Sequence, residues 1–462
     1  MPRNTPWGAW THLASASGPR PRTNRDQTVR DNMLRHGPSR VLVFFLDPIE
    51  NSSYPVTETG YALMHRAFIR SQWDGDQIFV VYPDATLHYA PRATDGSTQP
   101  HVMAHQVEDF STSPYDYYQS QRDHYDGCSD LGSARCHREA APTMLCLADV
   151  DAIVFRQETG DPIQRNALLH ALAQVEEQTV VYLSPSLALN PRLSSKTLPR
   201  LIDPQRTPRT FHSDRCAEAA SNESKAQAAL HFIQNELGNP ATVIAKPLMG
   251  DNGKGVCVLG QHPIAGQSAA PANHTILIEM LEEYGDLVVQ EYVPSVRAPA
   301  DLPQSQLATV PQERHDFGEI RFILIDGTLP RGKDGQDLLV ARRVPTADSL
   351  VADSGISYAT KLSRDERHFL QTVGRHYVKL GIYFGGGDLI RTPDPQRPFV
   401  FTDAARSVCG HAVVTGALNG DPYLIVDQVL DSLERRIAAH TPSKLPIHAV
   451  ALGEQSSTPY AF

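Results

Sequence analysis

Lys246-Pro-Leu-Met-Gly-Asp-Asn-Gly-Lys-Gly-Val256 is the stretch whose reading decides the fold. Residues 243–246 before it and 256–259 after it are short apolar runs, so the whole reads as strand, turn, strand. Gly250, Gly253 and Gly255 would let backbone N–H groups approach a phosphate chain closely. Lys246 ends the first strand beside that loop, where an ammonium could neutralise phosphate charge. A Walker A loop does not fit. Gly250 and Lys254 are too close together, Gly255 stands where a magnesium-binding Ser or Thr belongs, and the following element is not a helix. Two readings remain for this stretch alone: a glycine-rich lid over a nucleotide, or a plain hairpin turn.

Downstream segments bear on that choice. Val288-Val-Gln-Glu-Tyr-Val-Pro294 is an apolar strand that turns polar at its end, where backbone groups, Gln290 and Glu291 could meet an adenine edge. By itself it is equally an ordinary strand end. Glu319-Ile-Arg321 opens another strand, with Glu319 and Arg321 on one face by the period of two. Arg342 and Arg343 lie in the next strand candidate. A guanidinium fork suits phosphate and carboxylate groups, although lone surface arginines are common. Asp388 follows Gly385-Gly-Gly387 within a strand, and Asp403 ends the next one. Two carboxylates from adjacent strands could hold Mg²⁺, which takes carboxylates together with substrate phosphates. The alternative is a pair of solvated acids. Gly385–Asp388 is not a dinucleotide fingerprint, because its spacing and flanks do not match one.

Upstream, Val41–Leu46 is a continuous apolar run broken by Asp47-Pro48. A helix over residues 61–68 and a strand over 78–82 follow, and this β-α-β order predicts a parallel sheet. Residues 153–155 and 180–183 are further strand candidates. Residues 99–145 lack sustained periodicity and read as a long, partly disordered surface insertion. Later expectations are a helix over 225–237 and strands over 287–292, 320–325, 338–344, 384–390 and 399–403. Residues 295–318 read as an irregular connection. Ser363 with Glu366 predicts a capping box, and Asp421-Pro422 a helix start before a C-terminal helix at 424–437.

Bulk properties limit the function classes. The 462 residues carry a formal net charge of −10, with 41% apolar and 20% charged residues. A chain of this length holds two or three domains, and the acidic balance gives no nucleic-acid footprint. Six cysteines form no C-x-x-C pair and no zinc spacing, which suits a reduced, cytoplasmic setting. No apolar run approaches membrane-spanning length. Seven arginines among the first forty residues suggest a disordered basic extension, with an organellar transit peptide as the alternative.

Taken in order, these pieces resemble bacterial glutathione synthetase, a member of the ATP-grasp ligases, over residues 41–440. The resemblance runs through Leu46-Asp-Pro-Ile49, Ala148-Asp-Val-Asp-Ala-Ile-Val-Phe-Arg156, Pro185-Ser-Leu187 with Lys196, Ala245-Lys-Pro-Leu248 and the glycine loop. It continues through Gln290-Glu-Tyr-Val-Pro294, Arg321, Ile325-Asp-Gly327, Arg343-Val-Pro345 and Asp388. It implies an α/β (α+β) chain: a Rossmann-like pre-ATP-grasp domain at 41–190, with the insertion at about 99–145, then an ATP-grasp fold. The ATP-grasp part would have a lid subdomain at 191–290 and a C-terminal subdomain at 291–440, and a tail would occupy 441–462. It implies ATP and Mg²⁺ as cofactors and small-molecule substrates, an amino-acid or peptide carboxylate and an amine. No nucleic acid or membrane partner is implied, and a homo-oligomer is possible.

The resemblance also implies a site. Lys196 and Lys246 would touch ATP phosphates, with Gly250, Asp251, Asn252, Gly253, Lys254 and Gly255 closing over them. Gln290, Glu291, Tyr292 and Val293 would hold adenine, and Glu319 the ribose. Arg321 and Arg343 would clamp the transferred phosphoryl group, Asp388 and Asp403 would bind magnesium, and Asp47 and Arg156 would face substrate carboxylates. The departures concern metal and substrate. Where the family ends a strand in Glu-x-Asn, this chain has Asp403-Ala404-Ala405, and its stretch at residues 349–355 has a single glycine. Glutathione formation from γ-glutamylcysteine and glycine is the simplest expectation. Ligation of other substrates in specialised metabolism, a nucleotide-binding homologue without turnover and a phosphoryl-transfer enzyme are the others.

Overall fold

A computed structural model of the chain describes residues 40–47, 55–74, 76–115, 137–156, 162–182, 189, 196–216, 220–238, 240, 242–248, 255–259, 273–296, 318–335, 340–343, 357–405 and 412–440. The basic N-terminal stretch, the loop tip Gly250 to Lys254, most of the 295–318 connection, residues 349–355 and the tail after 440 lie outside the described residues.

The first sheet is built on β1 (Val41–Leu46). It pairs in parallel with β2 (Gln77–Val81) on one side and with β7 (Ala152–Arg156) on the other, and β8 (Val180–Val181) follows. Both faces of β1 are covered, which is why its sequence is apolar throughout instead of alternating. Leu42, Phe44 and Leu46 pack with Tyr61, Leu63 and Met64 of α1 (Pro55–Asp74). Val41, Val43 and Phe45 pack on the other side with Leu169, Leu172 and Val175 of α2 (Pro162–Val175). Each such buried side chain is worth about 1.5–3 kcal/mol.

The structure corrects the reading of residues 99–145 as patternless. Thr98–Phe110 is a 13-residue strand, β4. It pairs antiparallel with β2, with β3 (Leu87–Pro91), with β5 (His137–Glu139) and with β6 (Thr143–Cys146). Val102, Ala104 and Val107 are buried in the sheet's cores. The histidines and polar residues between them face outward and dilute the apolar signal. Residues 116–136 lie outside the described residues.

After α3 (Leu198–Ile202) comes the second sheet, four antiparallel strands. They are β9 (Thr210–His212), β10 (Val243–Pro247), β11 (Cys257–Leu259) and β12 (Leu287–Glu291), in spatial order β11-β10-β12-β9. Its apolar face carries Val243, Ala245, Leu259, Leu287 and Val289. That face packs on α4 (Asn222–His231, continued by a π turn to Glu236) and α5 (Asn273–Tyr284).

The third sheet is also antiparallel. Its order is β15 (Ser357–Ala359), β14 (Val340–Arg343), β13 (Glu319–Ile325), β16 (Phe384–Arg391), β17 (Phe399–Ala405). Ile320, Phe322, Leu324, Leu389 and Phe401 pack on Phe369, Leu370, Val373 and Tyr377 of α6 (Arg364–Lys379). The predicted capping box opens α6, with Ser363 Oγ accepting from Glu366 N and Glu366 accepting from Ser363 N. Leu198 of α3 also buries in this third core. The chain therefore visits the third sheet before it builds the second.

Two C-terminal helices close the structure, α7 (Ala412–Leu418) and α8 (Leu424–His440). Asp421 Oδ1 accepts from Tyr423 N at 3.0 Å and Asp421 O from Leu424 N at 3.1 Å, so the Asp-Pro turn launches α8. Ile425, Val426, Val429, Leu430 and Leu433 join the core of the first sheet, not the third. Arg66 of α1 forks onto Asp427 at 2.9 and 2.7 Å. Tyr182 O–H donates to Ser432 Oγ at 2.6 Å, and Arg436 reaches Asp326 at the end of β13 at 2.6 Å. A parallel-sheet unit followed by two antiparallel sheets, the first with a glycine-bearing hairpin, is the order of units that the sequence led us to expect of an ATP-grasp fold.

Candidate active site

The third sheet sets out one row of functional side chains. Cα register places Ala341, Arg321, Asp388 and Asp403 directly opposite one another on β14, β13, β16 and β17. Directly opposed residues share a face. Arg321 donates Nε to Asp388 Oδ1 at 2.7 Å and Nη2 to Asp388 Oδ2 at 2.6 Å, a bidentate pair. Two residues earlier on β13, Glu319 occupies the same face, and the backbone of Arg343 is its register partner. Farther along that face come Ile323 and Ile325, which enter the first sheet's core. One strand face is thus polar at its start and apolar at its end. The row stands where the sheet leaves that core.

The second sheet faces this row. Its core side takes Val243 and Ala245, so alternation puts Ile244 and Lys246 on the other side. Lys246, Val288 and His212 form one row there, and Ile244, Gln290 and Thr210 the next. Lys246 Nζ lies 3.3 Å from Asp403 Oδ2 and joins the two sheets. Lys196, just before α3, donates Nζ to Pro247 O at 2.6 Å. Both predicted phosphate lysines therefore converge at the end of β10, where the hairpin begins. β10 and β11 pair antiparallel, as strand–turn–strand requires. Gly255 returns the hairpin with φ +68°, and a Cβ there would fall 2.8 Å from both Pro247 Cγ and Tyr284 Cζ. No L side chain fits that position without a shift.

The predicted adenine strand is partly engaged within the protein. Gln290 is buried, and its Nε2 donates to Thr210 Oγ1 at 3.1 Å. Glu291 accepts from Arg209 N at 3.0 Å and from Arg397 Nη1 at 3.2 Å. Burial would raise this carboxyl's pKa, but the Arg209 N–H and the Arg397 charge outweigh it and hold it low. The Glu291 side chain thus ties the second sheet to the loop before β17. Tyr292 and Val293 continue beyond the strand.

Asp47 and Arg156 belong to the first sheet. Leu46 and Arg156 are register partners, so Asp47 and Arg156 lie together at the C-terminal edge of the parallel strands. That edge is where open α/β sheets bind ligands. Tyr61 O–H donates to the buried Asp47 O at 3.1 Å.

Several groups at the sheet faces escaped the sequence reading. His212 is 3% exposed, and neither ring nitrogen has a hydrogen-bond partner among the described residues. Burial, with Arg215, Arg200 and Lys246 nearby, pushes its pKa down to about 4, so the ring is neutral at pH 7. Its signal was the alternation through Thr210-Phe-His212, too short to notice alone. Tyr82, at the end of β2, bonds Glu139, which also binds His137 Nε2 at 2.6 Å. His137 and Glu139 sit on β5, which sequence reasoning placed in the insertion.

Among the described residues no group of three or more His, Cys, Asp or Glu side chains could hold a metal ion. Asp388 and Asp403 are nevertheless opposed on neighbouring strands. Magnesium commonly takes one or two carboxylates and completes its shell with water and substrate phosphates. The pair fits an ion that arrives with a nucleotide. Each carboxylate is presently balanced by a cation, Asp388 by Arg321 and Asp403 by Lys246. No helix of the described residues is long and apolar enough to cross a membrane.

No family model matches the chain, and no curated protein does. Solved structures do align with it. D-alanyl-alanine synthetase A from Vibrio cholerae is 9% identical with a TM-score of 0.47, and 87% of this chain and 100% of that one are covered. D-alanine–D-alanine ligase from Bacillus anthracis, complexed with ATP, is 10% identical with a TM-score of 0.44, covering 87% and 99%. The ATP-grasp ligase PsnB, complexed with minimal precursor, Mg and ADP, is 14% identical with a TM-score of 0.41, covering 85% and 98%.

Proposed function

We propose that the chain is an ATP-dependent carboxylate–amine ligase. The observation that carries this reading is the meeting of Lys246 with Asp403 beside the Arg321–Asp388 pair. Cations and carboxylates from two facing sheets converge there under a glycine-bearing hairpin. Such a set suits a triphosphate with its magnesium ion. A nucleotide would draw Lys246, Lys196 and Arg321 onto phosphate oxygens and release Asp388 and Asp403 for the metal. When bound, the metal supplies positive charge that shields the phosphates. Gln290 to Val293 and Glu319 would hold the nucleoside.

On this reading the reaction has two steps. A substrate carboxylate held near Asp47 and Arg156 attacks the γ-phosphate and gives an acyl-phosphate and ADP. An amine then displaces phosphate through a tetrahedral intermediate. Little covalent chemistry falls to the protein, so positioning and charge stabilisation carry the rate. Arg321 and Arg343 act on the transferred phosphoryl group. Gly250 to Gly255, of which only Gly255 is among the described residues, would close over the phosphates and exclude water.

Glutathione formation from γ-glutamylcysteine and glycine is the substrate pair the sequence resemblance favours. The Asp403-Ala404-Ala405 ending supports a second reading, ligation of another amino-acid or peptide pair with altered metal geometry. ADP release tests both readings. A ligase releases ADP only when an acid and an amine are present together, and the active pair names the substrates. Lys246→Ala and Asp388→Asn should abolish that release with the fold retained. Binding of nucleotide with no ADP release from any pair would overturn the proposal.

A further inference from the structure

Buried polar atoms almost always find partners, and one that does not calls for an explanation. His212 leaves two such atoms unmatched, both ring nitrogens, at 3% exposure among the described residues. Its position says what they await. Phe211 and Val289 turn to the core beneath the second sheet. His212 takes the opposite face, the third member of the row Lys246, Val288, His212. The neighbouring row ends in Thr210, whose Oγ1 accepts from Gln290. The ring thus stands on the face that carries Lys246, at the β9 end of the same row and diagonal to Gln290.

Resting on the nucleotide site proposed above, we propose that His212 is a nucleotide-contacting residue whose ring nitrogens are satisfied by the bound ATP. Burial, followed by the charges of Arg215, Arg200 and Lys246, keeps the imidazole uncharged. A neutral ring offers one N–H donor and one bare acceptor. It adds no charge to a site already supplied with lysines and arginines. Its contribution is directional pairing with a ligand that presents both oxygen acceptors and hydroxyl or amino donors, as a nucleotide does.

The test compares full-length wild-type protein with His212→Phe and His212→Asn, by calorimetric titration with Mg·ADP and by melting without ligand. Phenylalanine keeps the ring and deletes both nitrogens. We expect His212→Phe to bind ADP about tenfold more weakly, the scale of one hydrogen bond. Its unliganded melting temperature should hold or rise, because two unmatched buried atoms have gone. Asparagine restores a donor and an acceptor, so His212→Asn should bind more tightly than His212→Phe. Unchanged ADP affinity in His212→Phe, or in His212→Asn should the first not fold, would overturn the contact and leave the ligase reading standing. Weakened affinity that merely follows a lowered melting temperature would assign the ring a packing role and overturn it equally. A wild type that binds no ADP would overturn both.

Discussion

Lys246 Nζ and Asp403 Oδ2 stand 3.3 Å apart although 157 residues separate them in the chain. The side chain of Asp403 is 37% exposed, so this contact adds little stability, about 1 kcal/mol or less. In the proposed site a nucleotide phosphate would draw Lys246 away from this contact and leave Asp403 for the metal. Lys246→Met is therefore expected to melt within a few degrees of wild type. ADP formation should fall by about a hundredfold or more. A melting curve beside an ADP-release assay checks this, and a variant that loses stability but not rate would contradict it.

Arg321 grips Asp388 with two parallel hydrogen bonds, and both side chains are mostly buried. Lysine keeps the charge but has no fork. Arg321→Lys should cost about 1–2 kcal/mol in urea unfolding and lower turnover roughly 10–100-fold. Equal turnover in the variant would show that charge alone suffices.

Gly255 turns the hairpin in the left-handed region, with Pro247 and Tyr284 against it. Gly255→Ala strains the backbone and forces those neighbours apart, at about 1–3 kcal/mol. Nucleotide affinity should fall with it, because Lys246 precedes the same turn. Denaturant midpoints and ADP titration measure the two effects separately.

His212 titrates near 4 in the folded protein against its ordinary 6.5. Between those values the unfolded chain binds more protons, so stability rises with pH. The contribution is fully present above about pH 6.5 and is lost as pH falls toward 4, a span on the order of 3 kcal/mol. His212→Phe should flatten this part of the stability profile. An unchanged slope between pH 4 and 6.5 would place the titrating group elsewhere.

Glu366 makes a buried ion pair with Arg391, at 2.7 and 2.9 Å, and also completes the α6 capping box. Glu366→Gln leaves the guanidinium underpaired and should cost about 3–5 kcal/mol. The remaining folded protein should keep its affinity for ATP, since neither residue belongs to the row of Arg321, Asp388 and Asp403.

Much of this was legible because local patterns agreed with the tertiary fold. The apolar run at Val41–Leu46, the glycine hairpin after Lys246 and the Ser363–Glu366 box each specify one local structure. The Arg321, Asp388 and Asp403 row was legible as residue types on separate strands. Its register was not, because cross-strand pairing depends on partners far away in the chain. Glu291 illustrates the loss: nothing near it announces Arg397, which takes its carboxylate. β4 was missed because one of its faces is polar and histidine-rich. His212 was missed because a three-residue strand holds too few positions for a period to show.

Helix α8 has a consequence for how the molecule is made. The first sheet's core lacks one wall until Leu424–His440 has been synthesised, since Val426, Val429 and Leu430 fill it. The earliest-built layer of the chain must wait on the ribosome, half covered, while both antiparallel sheets emerge. The side of α1 that Val426, Val429 and Leu430 cover would then be the surface that a chaperone meets first.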